Sequence, residues 1–224
     1  MTDSFPARPQ ALLFDLDGTL LDTADDMGTA LNQLLKAYQR PPAKAEDYRL
    51  IASHGAKGML TLGFGEHLPD LGQASLRQQF LDLYATAICR HTRLYDGIEA
   101  VISTLTQQGI PWGIVTNKPQ TLTEKLLKHF PVLSAADIIL CGDSLPRRKP
   151  DPLPLTYAAE KLEVVSRHCW YIGDARRDID AALGAGMIAI LAEYGYIHPN
   201  ENPQQWPADY RITHPEALLA WLVP

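Results

Sequence analysis

The chain has 224 residues and a formal net charge of -6, a balance that argues against nucleic acid or an anionic membrane as its main partner. No apolar run approaches the roughly 20 residues needed to span a bilayer, and the opening MTDSFPARPQ lacks the apolar stretch of a signal peptide, so a cytoplasmic protein with no membrane segment is expected. The length admits one large α/β domain, or a core plus a smaller unit.

Taken in order, ALLFDLD reads as a strand. ADDMGTALNQLLKAYQR then sets Met27, Ala30, Leu31, Leu34, Leu35 and Tyr38 at helical spacing. RPPAKAEDY breaks that helix. A second helical block is expected over roughly residues 75–90, with Leu76, Phe80, Leu83, Tyr84 and Ala87 on one face. GIEAVISTLTQQGI reads as a helix ended by Gly109, and PWGIVTN as a strand. Helix TLTEKLLKHF, strand DIILCGD, helix PLTYAAEKL, strand CWYIGD, helix RDIDAALGAG and strand MIAILAE follow, before a last short strand and helix in YRITHPEALLAWL. Strands alternating with helices imply a doubly wound parallel sheet covered on both faces. Cys89, Cys141 and Cys169 show no zinc or redox spacing and are read as buried, reduced thiols.

One stretch breaks the alternation. The chain between the first strand and Trp112 is mostly helical and far longer than one crossover helix requires. A small helical subdomain over residues 23–92 is therefore expected as an insertion, with residues 1–22 and 93–224 forming the core. In an open parallel sheet, ligands bind beyond the carboxyl ends of the strands. Asp15, Asp17, Thr116, Asn117, Asp143 and Asp174 collect at those ends, and the insertion leaves from the same edge, where it can act as a lid.

The spacing of the first two aspartates raises a physical problem. If extended geometry persists beyond Phe14, Asp15 and Asp17 share a side. Two like charges so placed call for a positive group between them. A carboxylate can act as nucleophile at phosphorus, and a second one alongside can serve as acid and base. Each piece also has a plainer reading: Asp15 as a strand end before a turn, Asp178 as a first-turn acid at a helix start, Thr116 and Asn117 as capping residues. Arg147 and Arg148 read as a solvated loop.

In combination, DLDGTLLD, VTN, Lys149 in RKPDP and GDARRD, in that order, resemble the four motifs of the haloacid dehalogenase superfamily of phosphatases, with a helical cap inserted between the first two. The resemblance implies a Rossmann-like core and a Mg2+-dependent phosphomonoesterase. It makes Asp15 the nucleophile that becomes an aspartyl phosphate and Asp17 the general acid and base. It gives the metal the Asp15 side chain, the Asp17 backbone carbonyl and Asp174, with Asp178 behind them or acting through water. It gives the phosphoryl oxygens Thr116, Asn117 with adjacent backbone amides, and Lys149.

The glycine-rich cap segment IASHGAKGML resembles the specificity loop of phosphoglycolate phosphatase-like enzymes, which nominates His54 and Lys57 as substrate contacts; as plain sequence it is equally a helix-connecting loop. A closer similarity, including VTNKP and YGYIHPNENPQQWPAD, is to bacterial N-acetylmuramic acid 6-phosphate phosphatases, although Gly and Arg stand there in place of His54 and Lys57. A small phosphorylated metabolite, N-acetylmuramate 6-phosphate or 2-phosphoglycolate, is the implied substrate. A phosphomutase of the same family and a non-enzymatic phosphoacceptor module are the alternatives, the latter disfavoured by the second aspartate and the large insertion.

Overall fold

The computed structural model describes residues 6–65 and 72–222; the ends of the expected core and residues 66–71 of the expected cap lie outside it. The chain begins with strand β1 (Ala11–Phe14) and a short strand β2 (Leu21–Asp22), then runs through helices α1 (Ala24–Ala37), α2 (Ala45–Ile51), α3 (Gly55–Phe64) and α4 (Gln73–Thr86). Strand β3 (Arg93–Leu94) brings it back. From there α5 (Ile98–Gln107), β4 (Trp112–Val115), α6 (Gln120–Leu127), α7 (Pro131–Ser134) and β5 (Ile138–Leu140) follow. The last third holds α8 (Leu153–Lys161), β6 (Cys169–Gly173), α9 (Arg176–Gly184), β7 (Ile188–Ala192), β8 (Tyr210–Ile212) and α10 (Ala217–Leu222).

Six strands form one parallel sheet in the order β5-β4-β1-β6-β7-β8. The order reverses at β1, so the crevice beyond its carboxyl end is the switch point of the sheet. Alternation along β1 feeds two separate cores. Leu12 and Phe14 face the side packed by Ile98, Val101 and Leu105 of α5 and by Leu218 of α10. Ala11 and Leu13 face Leu155 and Ala158 of α8 and Ile179 of α9. A strand buried on both faces must be an apolar run, which is why these strands were legible in the sequence.

Between β2 and β3 the helices pack on one another. Leu31, Leu34 and Leu35 of α1 meet Leu60 and Phe64 of α3 and Leu76 and Phe80 of α4, all buried; each such side chain contributes about 1.5–3 kcal/mol by leaving water. Tyr38 meets the Phe64 ring edge-on at 5.4 Å between centroids. Gly63 of α3 lies so close to Leu31 and Leu35 that a side chain there would collide with both.

Several expectations require correction. IASHGAKGML is helical, a short turn over Ala52–His54 running into α3, where Ala52, Met59 and Leu60 are buried in the core shared with α1. The second helical block starts at Gln73 and stops at Thr86, short of Arg90. It stops because the chain turns there to aim the N–H groups of Arg90, His91 and Thr92 at the buried Asp26 carboxylate. The antiparallel pair β2–β3, Leu21 opposite Leu94 and Asp22 opposite Arg93, stitches the exit and return of the insertion and was not expected. All three cysteines are free; Cys141 and Cys169 are buried, whereas Cys89 is only half-buried.

Candidate active site

Register brings the site residues together. Phe14 is paired with Ile114 on one side and Ile172 on the other, so Asp15, Thr116 and Asp174 all emerge within two residues of one line across the sheet. Asp15 is 2% exposed. Its Oδ1 accepts the Leu16 N–H at 2.7 Å and lies 3.0 Å from Lys149 Nζ, and its Oδ2 faces Arg177 Nη2 at 3.6 Å. Burial alone would raise its pKa, but the charges of Lys149 and Arg177 and the Leu16 hydrogen bond outweigh it and hold the carboxyl below its usual value. Asp15 is an ionised, nearly dry carboxylate. Lys149 is itself fixed at 2.7 Å from Asp178 Oδ1 and donates at 2.6 Å to the Tyr171 hydroxyl, which donates in turn to the Val115 carbonyl.

Asp15, Asp174 and Asp178 are buried, and an oxygen from each lies within 4.8 Å of the others. Asp178 sits in the first turn of α9 and reaches back to the Ala175 N–H with Oδ2 at 3.0 Å. Asp174 is the member left without a cation, for no ion pair reaches it among the described residues. Its Oδ2 accepts the Tyr196 N–H at 2.8 Å and a short hydrogen bond from Ser53 Oγ, whereas its Oδ1 is buried with no partner. Burial first, then the charges of Asp178 and Asp15, push its pKa up to about 8. A hard divalent cation fits this set: three converging carboxylates, one with an orphaned oxygen and an unmet demand for positive charge. Gly18, at φ +83, leaves room for Asp174; a side chain there would collide with that carboxylate.

Asp17 stands apart from the cluster. The chain leaves extended geometry after Phe14, with Leu16 N–H folded onto Asp15 and Gly18 N–H onto the Leu21 carbonyl, so the two aspartates do not share one counter-ion. Asp17 has its own: Lys118 Nζ donates to Oδ1 at 3.0 Å and to Oδ2 at 3.2 Å, and Thr23 Oγ1 donates to Oδ1 at 2.7 Å. Tyr84 of α4 accepts from the same ammonium at 3.0 Å and lays its ring 4.5 Å from it. Burial would lower the Lys118 pKa, but Asp17 and Tyr84 more than offset it and hold the ammonium charged; burial pushes the Tyr84 phenol up to about 12.

Asp17 and Lys118 from the core and Tyr84 of α4 border one cavity of about 640 Å³ between α1–α4 and the sheet edge. Asp15, Asp17, Thr116, Asn117, Lys118 and Arg177 line its core side. Asn117 donates to the Lys149 carbonyl at 2.9 Å and leaves its own carbonyl oxygen without a partner. Both nominated cap residues, His54 and Lys57, line it as well; His54 Nε2 points toward Glu201 at 3.5 Å. Asp143 is elsewhere, accepting the Gln120 N–H at the start of α6. Arg148, read as part of a solvated loop, lines the cavity mouth together with Arg77 of α4. Lys118, Arg177, Ser53 and Tyr84 had not been singled out; the first three sit inside VTNKP, GDARRD and IASHGAKGML, beside residues that had, whereas Tyr84 had no such neighbour.

Comparison with known proteins agrees with this geometry. The sequence profile of the haloacid dehalogenase-like hydrolase family matches residues 12–192. An N-acetylmuramic acid 6-phosphate phosphatase of Pseudomonas aeruginosa is 37% identical over 212 residues, covering 95% of this chain and 94% of that protein. A phosphoglycolate phosphatase of Xanthomonas campestris pv. campestris is 38% identical over 219 residues, covering 96% and 99%. The crystal structure of a predicted phosphoglycolate phosphatase from Haemophilus somnus superposes with a TM-score of 0.84 at 26% identity, over 96% of this chain and 98% of that one. On its motifs, sheet order and these matches, the chain belongs to the haloacid dehalogenase-like hydrolase family.

Proposed function

We propose that the chain is a Mg2+-dependent phosphomonoesterase acting on a small phosphorylated metabolite that carries a second negative charge, with residues 1–22 and 93–224 as catalytic core and residues 23–92 as cap. The observation that carries this reading is Asp15, an ionised and nearly dry carboxylate flanked by Lys149 and Arg177 on the floor of a cavity.

Asp15 attacks phosphorus, and the bond from phosphorus to the ester oxygen breaks while Asp17 gives that oxygen its proton. Water then attacks the aspartyl phosphate, Asp17 takes the water's proton, and the Asp15–phosphorus bond breaks. Lys149 and Arg177 neutralise charge on the transferring group, and Thr116 and Asn117 supply polar contacts to its oxygens. Asp15, Asp174 and Asp178, with the Asp17 carbonyl, would hold Mg2+, which when bound supplies the positive charge that lets a phosphate approach this acidic cluster. A phosphoacceptor module would have no use for a second carboxylate beside the nucleophile or for a cavity of this size.

Two features favour a sugar-acid phosphate such as N-acetylmuramate 6-phosphate over 2-phosphoglycolate. A volume of about 640 Å³ falls in the range of roughly 300–1,000 Å³ that suits ligands well above glycolate in size. Its wall is apolar where Met27, Ile51, Phe80 and Leu81 line it, while Lys57, Arg77 and Arg148 add cations that have no ion pair among the described residues. The test is phosphate release from both esters with Mg2+ and no bisphosphate activator, for the wild type and Asp15→Asn. The larger ester should show the higher kcat/KM and the variant no turnover; release by Asp15→Asn at near wild-type rate would remove Asp15 as nucleophile.

A further inference from the structure

We propose that Lys118 is the positioning residue that presents Asp17 for proton transfer, and that Tyr84 makes this presentation depend on the seated cap. The inference rests on Asp17 being the acid and base. Its physical basis is the unequal treatment of the two Asp17 oxygens. Oδ1 accepts from Thr23 Oγ1 at 2.7 Å and from Lys118 at 3.0 Å, whereas Oδ2 has a single contact, to Lys118 at 3.2 Å. An oxygen already accepting two donors has little lone-pair density left for a proton. Oδ2 is therefore the oxygen with an open position, on a carboxylate that lines the cavity.

The lysine that imposes this orientation cannot wander. The Lys118 N–H donates to Thr116 Oγ1 at 3.2 Å and its carbonyl accepts the Gly142 N–H at 2.9 Å, so the backbone is pinned on both sides of the side chain. The ammonium is buried, its side chain 4% exposed. A buried ammonium needs every available partner to offset lost hydration, and besides Asp17 the partner here is Tyr84, through both hydroxyl and ring. Tyr84 belongs to α4, on the far side of the cavity from β4 and the loop carrying Lys118. Withdrawing α4 would strip the ammonium of that support and free it to turn toward water. Asp17 is thus correctly held only when the cap is down.

A purely structural ion pair would look similar in a static picture, so the test must separate the two roles. An ester with a poor alcohol leaving group needs the Asp17 proton as its bond to phosphorus breaks, whereas p-nitrophenolate leaves without it. Single-turnover release from N-acetylmuramate 6-phosphate and from p-nitrophenyl phosphate is measured for wild type, Lys118→Met, Tyr84→Phe and Asp17→Asn, with a thermal melt of each. Tyr84→Phe keeps the ring and removes only the hydroxyl, so it remains informative if Lys118→Met does not fold. We expect alkyl-ester release to fall about 10²-fold in Lys118→Met and by a smaller factor in Tyr84→Phe, with the loss in p-nitrophenol release clearly the smaller of the two in each variant. Equal losses on both esters, or no loss on either, would overturn the inference while Asp17→Asn still reports an acid. If Asp17→Asn itself released the alcohol at the wild-type rate, the acid assignment would fall and this inference with it.

Discussion

Lys149 Nζ lies 2.7 Å from Asp178 Oδ1, with both side chains fully shielded from solvent. The same ammonium serves Asp15 at 3.0 Å, so one cation compensates two buried carboxylates.

Removing that cation should therefore hurt the fold as well as the chemistry. Breaking a buried pair from one side costs about 3–5 kcal/mol, which for a chain of this size is a Tm loss on the order of 10 °C. Lys149→Met is expected to melt that much lower in the absence of metal and to release no phosphate. A melting curve superimposable on the wild type would show that the pair carries no net stability.

Asp174 gives the pH dependence. Its carboxyl is pushed up to about 8 in the folded chain, against about 3.9 when unfolded. Between those values the folded state keeps a proton that the unfolded state has lost, so this group withdraws stability as pH rises from about 4 to about 8. A cation bound here must displace that proton. Mg2+ should accordingly raise Tm strongly at pH 8 and weakly at pH 5, relative to EDTA at each pH. A metal-induced shift independent of pH would contradict the placement of the ion beside Asp174.

Arg77 and Arg148 are expected to read the second charge of the substrate. Each is exposed at the cavity mouth and has no ion pair among the described residues. A charge-assisted hydrogen bond contributes about 1.5–3 kcal/mol, so replacing both with alanine should raise KM for a carboxylated ester about 10- to 100-fold. Neither KM nor kcat for p-nitrophenyl phosphate should follow. Steady-state kinetics on the two esters decide it, and a parallel rise in both KM values would assign the arginines to the phosphate instead.

Asp26 anchors the return of the chain from α4. Its carboxylate accepts the N–H groups of Arg90, His91 and Thr92 at 3.0 Å each and the Thr92 hydroxyl at 2.7 Å. It also sits in the first turn of α1, where a negative charge is favourable. Asp26→Ala would leave three N–H donors unpaired and should cost about 2–4 kcal/mol, seen as a lower urea midpoint. Asp26→Asn, which keeps part of the acceptor set, should cost less; equal costs would make volume rather than hydrogen bonding the cause.

Much of the fold was written locally. Five of the six parallel strands lie within short apolar runs, and α1 carries its buried stripe at Met27, Ala30, Leu31, Leu34 and Leu35. Those patterns are periodic because each element has one fixed relation to water. The paired strands β2 and β3 were invisible, since two residues carry no period and their partner lies across the whole cap. The helical character of IASHGAKGML was invisible for another reason. Its glycines weaken helix propensity, and the compensation, burial of Ala52, Met59 and Leu60 in the core shared with α1, exists only in three dimensions.

The sequence by itself determined the doubly wound sheet, the inserted helices and the nomination of Asp15, Asp17, Thr116, Asn117, Lys149, Asp174 and Asp178, because strand ends and motif spacing are properties of neighbouring residues. Only the tertiary structure decided which cation meets which carboxylate. Lys149 goes to Asp15 and Asp178, Lys118 to Asp17, and Asp174 is left with none. That allocation follows from distances between elements far apart in the chain, and Coulomb energies in a buried site depend on distance and hydration.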